Sequence, residues 1–304
     1  MILLNYILMC AIFSTTFLAI KVGVEAGLPP FFAAGFRFFT AGLLIMLWMI
    51  VTKKIRPSLL LCKDWILVGL TSTFATFATL YWAEQYVDSG VAAVLSATGP
   101  MMILMLQTTI ARKSAKRSEY WGAAIGFAGV CVLIMPKLVL EQDTLWILSC
   151  VVILIGELGY CIGSLLTRKL TVTYTDISPI AINSMQMIYG GLALFVLSVF
   201  TERIHIDAVL TWPGAGSMLY LTLIGSMVGH SLYAWLLKAT NAFFPSTWLF
   251  ISPMVAVGLG FLFYNEAITL YSLLGSILIV IGIVVMNLGE LTRRFGNRGL
   301  HTTA

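Results

Sequence analysis

Runs of about 20 apolar residues, separated by short polar breaks, recur along the whole of this 304-residue chain. Crossing a hydrocarbon core about 30 Å thick takes roughly 20 residues of helix at 1.5 Å each. Ten runs come near that length, at about 3–22, 30–51, 65–84, 90–111, 119–136, 145–166, 179–200, 214–236, 243–264 and 271–290. The breaks carry charge or turn residues, as in "TKKIRPS", "ARKSAKRSE", "PKLVLEQD" and "TERIHID", and none is long enough to hold a soluble domain. Only 10% of the residues are charged, against about 25% in a soluble domain. The expectation is an all-α integral membrane protein with ten transmembrane helices. Residues 1–20 lack the basic start of a signal peptide, so the first run is read as a spanning helix.

The chain has 18 Lys and Arg residues and a pI near 9.0. With the N-terminus inside, 14 of those 18 fall on the cytoplasmic face: Lys53, Lys54, Arg56, Lys63, Arg112, Lys113, Lys116, Arg117, Arg168, Lys169, Lys238, Arg293, Arg294 and Arg298. Lys21, Lys137 and Arg203 fall on the other face, and Arg37 lies inside a run. That split follows the positive-inside rule. It places both termini in the cytoplasm and accounts for the basic pI without a nucleic-acid partner. The five cysteines have neither metal-ligand nor CxxC spacing. In spans they act as small apolar residues.

An internal repeat organises the runs. A shift of 153 residues lays Trp82 on Trp235, Pro100-Met101 on Pro253-Met254, Leu106 on Leu259, Gly122 and Gly129 on Gly275 and Gly282, and Val132 on Val285. Upstream the shift is 149, with Pro30 on Pro179 and Gly42-Leu43 on Gly191-Leu192. The reading is two five-helix halves, 1–138 and 143–290, followed by a cytoplasmic tail, 291–304. Five is odd, so the second half would enter the membrane from the opposite side. In such inverted repeats the binding site lies between the halves near mid-membrane.

Three stretches carry a resemblance: "PPFFAAGFRFFTAGLL" at 29–44, "YWAEQYVDSGVAAVLSATGPMMILML" at 81–106 and "FISPMVAVGLGFLFYNEAITLYSLLGSILIVIGIVV" at 250–285. Their order, spacing and repetition resemble the drug/metabolite transporter superfamily, and within it the EamA-type ten-helix exporters. The resemblance implies a secondary-active transporter of a bacterial inner membrane, without a cofactor. It would export small metabolites, such as amino acids or related compounds, by alternating access, with protons as candidate coupling ion. Two other readings are a nucleotide-sugar exchanger of the same superfamily and a membrane-embedded enzyme acting on lipid-linked substrates. The first calls for a basic cavity, the second for clustered acids, His or Arg. No motif links the intramembrane Glu, His and Arg, and no catalytic or metal-binding arrangement appears.

The polar residues inside the runs are the candidate site. Glu157 lies about twelve residues into its run, near mid-depth, where a charge costs about 2.5–3.5 kcal/mol. Tyr160, Cys161 and Ser164 share its face, so the stripe should point inward, to hold a substrate amine, a proton or a neighbouring helix. His230, with Ser226 and Tyr233 at helical spacing, is either a proton relay or a packing residue. Arg37 either binds a substrate carboxylate or ties helices together. Its counterpart in the repeat is Gln186, which with Asn183 and Gly190 makes a polar face that either joins helices or lines the pocket. Tyr81, Trp82, Tyr233, Trp235 and Trp248 are candidate cavity aromatics suited to flat or apolar substrates. Lys21 and Glu84 lie at helix ends on the outer side. Pro100 and Pro253 mark paired kinks. The glycine faces of helices five and ten read as scaffold or as contact with a second copy.

Overall fold

The computed structural model describes residues 1–55, 63–110, 112, 114–135, 144–203, 206–264 and 269–296, and these residues contain helices and no strands. The 136–143 connector, Arg56, Lys113, Arg298 and the end of the expected tail lie outside them. In chain order the helices are α1 (Ile2–Glu25), α2 (Pro30–Val51), α3 (Lys63–Ala83), α4 (Ser89–Thr109), α5 (Arg117–Ile134), α6 (Thr144–Thr173), α7 (Pro179–Thr201), α8 (Trp212–Ala239), α9 (Trp248–Tyr264) and α10 (Leu270–Gly296). A single turn, Phe243–Ser246, precedes α9. Seven of the described helices, α1 to α4 and α6 to α8, are long and apolar enough to cross a membrane, and α9 and α10 contribute shorter apolar stretches.

Local chemistry sets the helix ends. α1 stops in a Schellman turn: Leu28 N–H donates to Gly23 O at 3.1 Å, Gly27 N–H donates to Val24 O at 2.9 Å, and Gly27 takes φ +86°. Only a residue without Cβ adopts that conformation freely. Pro30 and Pro179 both open helices, where their missing N–H would have no partner in any case. The repeated pair Pro100 and Pro253 differs in setting. Pro100 sits at the restart of α4 after a break at Ala97–Thr98, whereas Pro253 lies inside α9. Both α3 and α8 contain a π-helical stretch, Gly69–Ala75 and Leu221–His230. Shifted by 153 residues, the first falls within the second.

The packing repeats as well. A Cβ on Gly42 would meet Ile188, and one on Gly191 would meet Phe39; the 149-residue shift interchanges these two contacts. Between α5 and α10, Gly122 abuts Gly282 while Gly275 abuts Gly129, interchanged by the 153-residue shift. A Cβ at any of these four would come within 3.0 Å of backbone atoms of the opposing helix. The small-residue faces of α5 and α10 therefore close on each other within one chain. Glycine permits that approach, and in lipid close packing is the main attraction between helices.

Side chains tie the two ends of the bundle. At one end Arg168 donates to Lys238 O at 2.7 Å, Lys238 to Thr175 O at 3.1 Å, and the Tyr174 hydroxyl to Asp64 at 3.0 Å. At the other, the N–H groups of Phe31 and Phe32 donate to Glu202 at 2.7 and 2.9 Å, which answers two open donors at the start of α2. Ser217 there bonds Ala19 O at 2.6 Å.

Candidate functional site

A small internal cavity lies where both halves of the sequence meet. Its walls come from α1 (Phe13, Thr16, Phe17), α2 (Arg37), α3 (Thr76, Phe77, Leu80), α4 (Ser96), α6 (Glu157, Tyr160), α8 (His230, Tyr233) and α9 (Trp248, Leu249). Each π stretch ends where its helix reaches the wall: Thr76 and Phe77 follow the first, and His230 closes the second. Such turns displace the side chains beyond them from a regular helical face and recur at functional sites.

Glu157 is 5% exposed. The Ser96 hydroxyl lies within hydrogen-bonding reach of it, while its Oε1 has no partner. Backbone composition makes room for that oxygen. A Cβ at Gly99, on α4, would collide with Glu157 Oε1. Gly99→Ala should therefore cost about 1–3 kcal/mol through overpacking, read as a lower unfolding midpoint in detergent. In a Glu157→Ala background the same methyl should cost less, since of its nearest contacts only the Leu249 side-chain tip, at 2.8 Å, is left in its way. Equal losses in both backgrounds would sink this account.

Arg37 is 1% exposed. Its Nε donates to Ser226 Oγ at 2.7 Å and its Nη1 to the Tyr81 hydroxyl at 3.4 Å. The guanidinium lies 4.6 Å from the Phe38 ring centre and 5.1 Å from that of Phe77. Cation–π attraction of this kind is strongest away from water. Two of its five N–H donors are engaged in these bonds. Gly225 leaves space beside Nη2, since a Cβ there would come within 3.1 Å of it.

The remaining wall is aromatic. Trp248 Nε1 donates to the Tyr160 hydroxyl at 3.1 Å, and the Ser164 and Tyr233 hydroxyls are 2.8 Å apart. His230 packs among Phe13, Phe38 and Phe77, with ring centres 4.9–5.7 Å apart. It shares the cavity with Glu157, but no hydrogen bond joins them.

Of the candidates read from the sequence, the cavity brings together Arg37, Glu157, Tyr160, His230, Tyr233 and Trp248, with Ser164 and Tyr81 one bond behind. Asn183, Gln186, Trp82 and Trp235 are not part of its lining. Gln186 donates to Asn183 at 3.0 Å and accepts from Thr167 at 3.1 Å, joining α7 to α6. Trp82 packs at a tilt against Tyr86, with ring centres 5.1 Å apart. Ser96, Gly99 and the phenylalanines were not singled out by sequence. Nothing in an apolar run distinguishes a lining Phe from a packed one, and only the neighbouring Glu157 gives Ser96 and Gly99 their meaning.

The cavity has about 40 Å³ of room for water centres, enough for a few waters at roughly 10–15 Å³ each. A metabolite-sized ligand needs the walls to part. A much larger crevice, about 660 Å³, opens at the end of the bundle that carries Arg168 and Lys169. It runs between α4, the start of α5, α6 and the turn before α9. Tyr160 borders the cavity and Ile162 the crevice, two residues apart on α6, or about 3 Å of helix rise. On the same stretch of α6, Cys161 Sγ donates to Gly99 O at 3.4 Å and the Ser164 hydroxyl meets that of Tyr233 at 2.8 Å.

The chain resembles known proteins over nearly its full length. It is 28% identical over 280 residues to the uncharacterized inner membrane transporter YedA of Escherichia coli (strain K12), covering 92% of this chain and 88% of that one. It is 26% identical over 294 residues to the uncharacterized transporter YoaV of Bacillus subtilis, covering 96% and 98%, and 26% identical over 286 residues to the protein PagO of Salmonella typhimurium, covering 91% and 90%. One solved crystal structure superposes with a TM-score of 0.72 at 17% identity, over 94% of this chain and 96% of that one, which shows a shared fold. The family model of EamA-like transporters matches twice, over residues 1–135 and 147–288. With its apolar helices, its paired packing and these two matches, the chain is a multi-pass membrane transporter and belongs to the EamA-like transporter family.

Proposed function

We propose that this protein is a secondary-active exporter of zwitterionic metabolites of the amino-acid class. The observation that carries this is the lining of one cavity by both a guanidinium, Arg37, and a carboxylate, Glu157, within an aromatic wall. A substrate carboxylate would take the free donors of Arg37, and a substrate amine the unpartnered Oε1 of Glu157. Charge-assisted bonds of both signs give orientation as well as affinity. The rings of Phe13, Tyr160, Tyr233 and Trp248 would receive an apolar or flat side chain. A nucleotide sugar would bring two phosphates to a cavity whose lining holds one fixed cation.

The proposed architecture is ten spans in two inverted halves, 1–138 and 143–290, with both termini cytoplasmic. The interchanged contacts, Gly42 on Ile188 with Gly191 on Phe39 and Gly122 on Gly282 with Gly275 on Gly129, support it. So does the positive-inside split of the charges. On this reading the 660 Å³ crevice is the cytoplasmic vestibule. Parting the Cys161–Gly99 and Ser164–Tyr233 contacts would join it to the cavity. Exchanging the conformations of the two halves would open the other side. Protons are the proposed coupling ion.

The test uses proteoliposomes and three labelled probes: phenylalanine, phenethylamine and 3-phenylpropionate. Phenylalanine is expected to accumulate by counterflow at least ten times faster than either analogue, since each lacks one charged contact worth about 1.5–3 kcal/mol. Arg37→Gln should weaken phenylalanine and leave phenethylamine unchanged. Equal rates for all three probes, or no flux of any, would overturn the reading.

A further inference from the structure

A second carboxylate lies outside the cavity lining. Glu84 caps the C-terminal end of α3, is 0% exposed, and has no hydrogen-bond partner on either oxygen. Three features of its surroundings define what it can do. The negative end of the α3 dipole works against a charge there. Lys21, on α1, gives its ammonium protons to the backbone instead, donating to Glu84 O at 2.9 Å and Val87 O at 3.2 Å, and its ion pair goes to Glu25 at 3.9 Å. Arg37, on α2, lies within electrostatic range of Glu84, but its side-chain hydrogen bonds run to Ser226 and Tyr81. The neighbouring titratable groups are thus Lys21 and Glu25 on α1, Arg37 on α2 and Tyr81 on α3 itself, with Asp88 exposed at the start of α4.

A buried, unpaired carboxylate is among the costlier arrangements a protein can hold, several kcal/mol per ion. Here two cations lie close without pairing to it. The charge is relieved in either of two ways: a proton on Glu84, or a turn of Arg37 toward it. We propose that Glu84 is a proton-binding site of this transporter, distinct from Glu157, which exchanges its proton for an ion pair with Arg37. When Arg37 holds Ser226 and Tyr81, or a substrate carboxylate, Glu84 takes a proton from water. When Arg37 is released and turns to Glu84, the proton returns to water. Binding a carboxylate at Arg37 and protonating Glu84 are then linked, each favouring the other. The substrate half of that linkage rests on the proposed amino-acid reading; the proton half does not.

The experiment is an infrared pH titration of the full-length protein in liposomes, following the protonated-carboxyl stretch without substrate. Wild type should show a component that disappears in Glu84→Gln and persists in Glu157→Gln. In Arg37→Gln the competing cation is gone, so that component should titrate at a pH higher by roughly one unit or more. This second variant carries the test if Glu84→Gln does not fold. A Glu84 component absent at every pH, or one whose titration Arg37→Gln leaves in place, overturns the proposal. Added phenylalanine should move the midpoint upward in wild type. If the component titrates as expected while phenylalanine neither moves it nor is transported, the proton site stands and the amino-acid reading fails. If phenylalanine is transported and Glu84 never titrates, the reverse holds.

Discussion

Glu157→Gln is expected to lower counterflow of phenylalanine by about 30-fold or more, with the fold intact. The substitution keeps shape and size and removes the charge. The amide can still meet the Ser96 hydroxyl, and it replaces an Oε1 that has no partner in the wild type. Folding stability should therefore change by no more than about 1 kcal/mol. Function should change far more. Removing one member of a buried charge pair costs about 2–5 kcal/mol, and each 1.4 kcal/mol is about tenfold in affinity. A purely structural Glu157 would give the opposite pattern, with stability altered and flux retained. Flux within twofold of wild type in a well-folded Glu157→Gln protein would remove the residue from the transport site.

The largest structural effect is expected at the α5–α10 contact. A Cβ at Gly282 would lie 2.5 Å from Gly126 N and 2.7 Å from Gly122 O. Both are backbone atoms, and neither can swing aside as a side-chain tip could. The two helices would have to separate, losing contacts along the whole seam. Gly282→Leu should then cost more than about 4 kcal/mol, the range reserved for named core disruptions, and elute aggregated from size-exclusion in detergent. Gly216→Ala is the matched control, since beyond its own helix backbone and chain neighbours nothing lies within 4 Å of its added methyl, and it should stay within about 0.5 kcal/mol of wild type. A monodisperse Gly282→Leu protein with an unchanged melting point would show that the helices do not meet as described.

Some of this was legible in the order of residues. The apolar runs at 30–51 and 179–200 correspond closely to α2 and α7, because a span must satisfy its backbone internally and so becomes a helix. The correspondence of Gly42 to Gly191 and of Gly122 to Gly275 also appeared as a repeat, and each of these glycines lets an opposing helix come close. Glu157 stood out for its cost in an apolar run. Glu84 and Arg37 were visible as charges, but not their relation, because it depends on which of several donors each cation uses. The π stretches were not legible either. They add a residue to the turn without a distinctive composition, and they shift His230 and Phe77 relative to a regular helix.

The sequence by itself determined the solvent, the helices and the repeated glycine faces, because hydrophobic length and the absence of a side chain act locally. The tertiary structure alone decided which polar groups meet. It put Arg37 on Ser226 and Tyr81, joined Gln186 to Thr167 instead of the cavity, and left Glu157 and Glu84 each with an unpartnered oxygen. The reason is geometric. A hydrogen bond needs its partners within about 3 Å, and residues 44 to 189 positions apart come that close only after the helices have packed.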